Sequence, residues 1–287
     1  MGLQVLIQTF INGISSSLIY VLFALGLTLI VGIFNTFNFA HAEFVMIAGF
    51  VTYFVVNVWK LPYAVSFIMA LTIVSMLGII FEKSIFFPMR RRPSIQSSLA
   101  TYGAVGFLQT GALIIWGGNV QGVKPLISGQ FHFGSLVFPL DRLPVVIGAL
   151  LMLIILFLFI QRTKMGLAIR AVQQDEEAAS LQGINVARVR IVVWVVASSL
   201  AGAAGILLAP ISYVDPFMGN ILILKGFAIV ILGGLGSIPG ALIAGFILGF
   251  VDSFGMTYLG TYSYMFAFGI IILVLLFRPQ GLMGRRS

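Results

Sequence analysis

The sequence predicts an all-α, polytopic membrane helix bundle of about eight membrane segments, broken half-spans included. Three observations predict it: very few charges, uncharged runs of membrane-crossing length between them, and no strand-like alternation inside the runs. Of the 287 residues, 60% are hydrophobic and 8% charged, against about 25% charged in an ordinary soluble domain. A water-facing surface cannot be made from so few charges.

In chain order, the uncharged runs are residues 2–40, 44–59, 61–81, 93–123, 143–160, 191–214, 226–251 and 253–277. A hydrocarbon core of about 30 Å takes roughly 20 helical residues, so 44–59 is short and the others suffice or nearly so. Lipid-exposed backbone must satisfy its own hydrogen bonds as a helix or as a closed barrel. Barrel strands alternate apolar and polar residues, whereas residues 150–160 are uniformly apolar, which selects helices. The first run lacks a basic stretch, a short apolar core and a small-residue cleavage site, so it is expected to be retained as a helix. Two places interrupt the runs. Asn35-Thr-Phe-Asn-Phe-Ala-His-Ala-Glu43 separates the first two spans, and Gly233-Gly-Leu-Gly-Ser-Ile-Pro-Gly240 splits residues 221–251 into two expected half-spans. A last helix is expected from about Tyr262 to Phe277. Residues 1–287 read as one membrane domain.

Basic residues cluster at Lys83 with Arg90 to Arg92, at Arg162 to Arg190, and at Arg278, Arg285 and Arg286. Because Lys- and Arg-rich loops stay cytoplasmic, this puts the N-terminus outside, residues 117–142 in an external loop and the C-terminus in the cytoplasm. Lys60, Lys124, Arg142 and Lys225 are left for the outer side.

No cysteine is present, which removes thiolate metal sites, and the two histidines lack metal-ligand spacing, so no metal is expected. None of the lysines follows a glycine, so the chain has no phosphate-cradling P-loop and is not expected to be an enzyme. Residues 161–190 form a long inner loop. Residues 168–182 are rich in helix formers, Gly183 suits a left-handed helix end, and Asn185 suits an N-cap. A helix, a glycine turn and a second helix make a knob; the plainer alternative is a loop helix lying on the lipid surface.

Paired interrupted segments point to a solute pathway between them. The candidate pathway residues are Asn38, His41 and Glu43 from one break and Gly233, Gly234, Gly236 and Ser237 from the other. Unwound glycine-rich backbone can offer carbonyl and amide groups to a solute, and Glu43 is the costliest of the set to bury. Both breaks could equally be tight interhelical turns, and Glu43 a half-solvated residue at a helix N-terminus. Ala197, Ala201 and Gly205 form a small-residue stripe for close helix packing.

Glu177-Ala-Ala-Ser-Leu-Gln-Gly183 resembles the EAA loop of permease subunits in binding-protein-dependent ABC importers. Asn38-Phe-Ala-His-Ala-Glu43, Arg170-Ala-Val, Gly183-Ile-Asn185, Leu200-Ala-Gly-Ala-Ala-Gly205, Leu232-Gly-Gly-Leu-Gly-Ser-Ile-Pro-Gly-Ala241 and Arg278-Pro-Gln-Gly-Leu282 are similar, in the same order, to the H-type permease of the branched-chain amino-acid importers. Ala42, where that family usually has Gly, and Gly226, where Ala is commoner, depart from the pattern but stay small.

The resemblance implies an inner-membrane permease that moves leucine, isoleucine and valine. It implies a second related permease, two ATP-binding subunits that hold ATP and Mg, and an external substrate-binding protein; no cofactor is expected in this chain. It also makes residues 161–190 the loop coupling to the ATPase, with Glu177, Ala178, Ala179, Gly183 and Arg170 as its candidate residues. Closely similar permeases are associated with urea and short amides, and an ion-coupled secondary transporter is a further alternative.

Overall fold

The computed structural model describes residues 2–133, 136–278 and 280–284. Arg285 and Arg286 of the third basic cluster lie outside the described residues. Helices α1 (Leu3–Phe34), α2 (His41–Val58), α3 (Tyr63–Met89) and α4 (Ser94–Trp116) come first. A loop follows with short strands β1 (Gln121–Gly122), β2 (Gln130–Phe133) and β3 (Leu136–Pro139). Then come α5 (Arg142–Arg162), two short helices α6 (Lys164–Gln174) and α7 (Glu176–Leu181), α8 (Val186–Leu208), strand β4 (Tyr213–Val214), α9 (Gly219–Gly233), α10 (Ile238–Leu259) and α11 (Ser263–Phe277). Seven helices among the described residues are long and apolar enough to cross a membrane, and α9 is a shorter apolar helix of 15 residues.

The bundle is built around α1, whose most apolar stretch is 89% buried. Small residues make this possible. On α10, a Cβ at Gly245 or Gly249 would strike Val21 or Ser17 of α1. On α8, the stripe expected from sequence does the same: Gly26 of α1 sits against the Ala197 carbonyl, and a Cβ at Gly205 would strike the Val45 carbonyl of α2. Close backbone approach gives dispersion contact that lipid-like side chains alone cannot supply.

β1 pairs antiparallel with β4, so the 117–142 loop and the segment after α8 lie at one end of the bundle. At the opposite end, Gln173 of α6 bonds the carbonyl of Gly236, and Arg190 of α8 bonds Glu82 of α3. The ends of α1 and α3, the α6–α7 knob and the tail after α11 therefore share that face.

Two boundaries differ from the sequence reading, each because a charge is paired rather than solvated. The run ending at Phe81 continues as helix to Met89, since Glu82, 2% exposed, meets Arg190 Nε at 3.0 Å. The run ending at Val251 continues to Leu259, since Asp252 is held by Lys225 Nζ at 2.8 Å and by the Tyr20 hydroxyl at 2.7 Å. Hence only the first of the two expected half-spans, α9, is short; α10 has 22 residues. Lys225, counted from sequence with the outer-side charges, is instead 8% exposed within α9.

Candidate functional site

Asn35, with φ 47° in the left-handed region, ends α1 and turns the chain back along the bundle. Asn38 Oδ1 accepts from the Ala40 amide at 3.1 Å, and the Phe39 amide donates to Thr101 Oγ1 of α4 at 3.1 Å. These bonds satisfy backbone polar groups that would otherwise be stranded among helices. His41, fully buried, starts α2 beside Gly26, with its ring 5.2 Å from that of Phe23. Gly26 lies eight residues before the end of α1, roughly 12 Å along the axis, so α2 begins inside the bundle rather than at its face.

α9 begins at the same depth. Val214 and Met218 lie against Gly49 of α2, and Gly219 sits beside Ala42 and Glu43. The N-termini of two helices therefore meet around Glu43, and neither has a side-chain cap. Glu43 is 1% exposed. Its Oε1 accepts from Gln109 Nε2 of α4 at 2.9 Å, and the same nitrogen donates to Asn220 Oδ1 of α9 at 2.8 Å. Glu43 Oε2 and Asn38 Nδ2 are buried without a hydrogen-bond partner among the described residues. Helix N-termini favour negative charge, so this cradle holds a carboxylate within the membrane-spanning body.

The predicted pathway residues thus fall into two groups. Asn38, His41 and Glu43 gather at this cradle. Gly233, Gly234, Gly236 and Ser237 lie at the other end of α9, whose 15 residues separate the groups by roughly 21 Å. There Gly234 (φ 100°) and Gly236 (φ 75°) form the turn, and Ser237 caps α10 by accepting from the Gly240 amide. Gly236 packs on Gly32 of α1, and the tail caps α9 in trans through Leu282 N to Leu232 O (2.7 Å) and Met283 N to Gly233 O (3.1 Å). A cavity of about 700 Å³ opens beside this turn, lined by Asn35, Leu156, Gln161, Gln173 and Ser237 among others.

The stretch before the Gly183 turn, expected as one helix, is two, α6 and α7, and the second helix of the expected knob is the start of α8. Asp175, extended at φ −159°, caps α7 by accepting from Ala178 N at 2.9 Å; an Asp followed by two Glu is itself a helix-start pattern. Gly183 turns at φ 80°, and Asn185 caps α8 through Arg188 N. Glu177 and Ala178 are exposed, Ala179 is buried, and Leu181 stands 84% exposed at the tip. Arg170 points back to α5, bonding the Ile160 carbonyl at 2.9 Å and Gln161 Oε1 at 2.7 Å.

Gln109, Asn220, Gln173, Glu82 and Arg190 were not among the sequence candidates. Each charged one ends an apolar run, which was the available signal. Their partners lie tens of residues away or more, which no local pattern reveals.

The family described as the branched-chain amino acid transport system permease component matches residues 9–275. The chain is 32% identical to the high-affinity branched-chain amino acid transport system permease protein LivH of Escherichia coli (strain K12), over 97% of this chain and 96% of that protein. It is 30% identical to the corresponding permease protein BraD of Pseudomonas aeruginosa, with the same coverages. The permease protein LivM of Escherichia coli (strain K12) is 27% identical, over 93% of this chain and 68% of LivM. No solved structure matches the chain.

Proposed function

The chain belongs to the permease-component family of branched-chain amino acid transport systems, and from that premise we propose that it is one membrane subunit of an ATP-driven importer of leucine, isoleucine and valine. Its companions are a second, LivM-like permease, two ATP-binding subunits that carry ATP and Mg, and an external binding protein. The basic end of the bundle faces the cytoplasm, and the N-terminus faces outward. The ATP hydrolysis belongs to the companions, and this chain contributes pathway and coupling.

The observation that carries the coupling reading is the grip of the knob on the second break: Gln173 Nε2 holds the Gly236 carbonyl at 2.6 Å. A knob that meets the motor subunit through Glu177 and Leu181 would transmit its displacement through Gln173 to the turn between α9 and α10. Glu176 Oε1 stands 4.0 Å from Arg190 Nη1, and the Arg190 guanidinium lies 4.6 Å over the Phe34 ring, giving a second route to α1 and α3. A motor can shift the bundle only by contacting its two states differently, and both routes end on elements that border the Glu43 cradle.

The test is reconstitution of the complete complex in proteoliposomes. Binding protein loaded with leucine, isoleucine or valine should stimulate ATP hydrolysis and drive uptake. Stimulation by urea or a short amide alone would replace the solute, and stimulation by a sugar alone would reject both. Ion-driven uptake with no ATPase retained would reject the importer reading.

A further inference from the structure

The cluster of Glu43, Gln109 and Asn220 is a built polar site, and nothing in the packing of this chain explains its composition. Glu43 is 1% exposed yet keeps one carboxylate oxygen unpartnered. Gln109 spends both protons of its amide nitrogen on Glu43 and Asn220, which leaves its carbonyl free to accept. Among the described residues, Asn220 Nδ2 meets no partner, and Asn220 itself is exposed. One side of the cluster therefore offers acceptors, the carboxylate and the Gln109 carbonyl. The other offers donors, Asn220 Nδ2 and the first turn of α9. On α4, toward the knob from Gln109, a Cβ at Gly103 or Gly106 would meet nothing within 4 Å, so that stretch of the helix is left uncovered by this chain.

Two turns further along α4 from Gln109 lies Tyr102, and two turns further along α9 from Asn220 lies Phe227, each roughly 10 Å nearer the knob end. Rings fill that level. Phe39 is 5.8 Å from Tyr102 and 5.0 Å from Phe227, and Phe37 is 5.1 Å from Phe227. The polar cluster thus has an aromatic floor on the side of the knob.

We infer that Glu43, Gln109 and Asn220 form the station at which the backbone groups of a zwitterionic amino acid rest midway through the membrane. The ammonium group meets Glu43 and the Gln109 carbonyl, the carboxylate meets Asn220 and the start of α9, and the apolar side chain is left for the aromatic floor. This rests on the permease reading above and adds to it the headgroup chemistry and two residues, Gln109 and Asn220. A hydrogen bond to a charged group is among the stronger ones, and a buried carboxylate that has lost its cation is costly, so the cluster is selective for a solute that brings both charges.

The test uses the full complex with its binding protein in proteoliposomes, reading leucine uptake and ATP hydrolysis separately. Glu43→Gln, which keeps the bond to Gln109 in kind but removes the charge, and Asn220→Asp, which sets a second anion where the solute carboxylate belongs, should each lower uptake about tenfold or more. Uptake should fall further than hydrolysis stimulated by loaded binding protein, since neither residue touches the knob. The double variant Glu43→Gln/Asn220→Asp leaves no anion for the ammonium group and sets one against the solute carboxylate, so it should take up no more leucine than either single variant. Wild-type uptake in both single variants overturns the station, and so does recovery in the double, which would leave only the net charge of the cluster to matter, or failure of both singles to assemble, which assigns the residues to packing. If only Glu43→Gln fails to assemble, the exposed Asn220 decides. A wild-type complex that moves no amino acid overturns the permease reading instead.

Discussion

Single residues at the knob separate conformational need from contact need. Gly183 has φ 80° and open space around its Cβ position, so Gly183→Val meets no neighbour and loses only through backbone strain, at about 1–3 kcal/mol. Glu177 is exposed in the first turn of α7, so Glu177→Lys leaves the turn in place and reverses the charge presented to a motor subunit. Both variants alter no membrane span and should insert at wild-type levels by membrane fractionation. Both should lose ATP-driven uptake and retain less ATP-binding subunit on co-purification; wild-type transport with the ATPase bound would make the loop a passive connector. The turn glycine and the Asn185 cap were legible in the sequence because each requirement is local: a positive φ and an orphan amide name their residue types. Gln109 and Asn220 were not, because an amide side chain in an apolar run acquires meaning only from a partner that the fold brings to it.

At the scale of elements, the same contrast holds between runs and pairings. Helix positions followed from the uncharged runs, but their ends were misplaced wherever a charge found a distant partner, as Glu82 found Arg190 and Asp252 found Lys225. The first of these pairs joins α3 to α8 with side chains 3% and 9% exposed, and removing Arg190 leaves the Glu82 carboxylate buried without its hydrogen-bonded cation. Arg190→Met should therefore lower stability by about 3–5 kcal/mol, whereas Arg190→Met/Glu82→Met should recover most of the loss. Thermal unfolding of the purified complex measures both, and additive losses would show that the pair does not interact. A second prediction belongs to α9. If the rings at Phe37, Phe39, Tyr102 and Phe227 close the bundle toward the knob, Phe227→Ala opens the floor where three of them meet. Leucine-loaded proteoliposomes carrying that variant should leak leucine without ATP, and a leak no faster than wild type would place the closure elsewhere.

The whole molecule is ordered by which ends of its helices carry charge, and the structure supplies a consistency that the charge count alone lacked. Loop 117–142 is tied to the segment after α8 by the β1–β4 ladder, whereas the knob, the Gly233–Ser237 turn and the tail at Leu282 and Met283 contact one another at the other end. These segments thereby fall on two opposite faces. Moving Lys225 from the outer-side count into a buried pair with Asp252 sharpens the asymmetry, because Lys60, Lys124 and Arg142 alone remain among the basic residues assigned to the outer face. Basic loops resist translocation, so the knob face should be cytoplasmic. The absence of native cysteine makes this directly measurable. Ser94, Ser128 and Ser180 are all exposed, so a cysteine at any of them is reachable from its own side. In intact cells a membrane-impermeant maleimide should label Ser128→Cys, whereas Ser94→Cys and Ser180→Cys should react only after the cells are opened. Labelling of Ser180→Cys from outside would invert the bundle. It would put the knob where no ATP-binding subunit can reach it, and the coupling route from α7 through Gln173 to the second break would have no motor to carry.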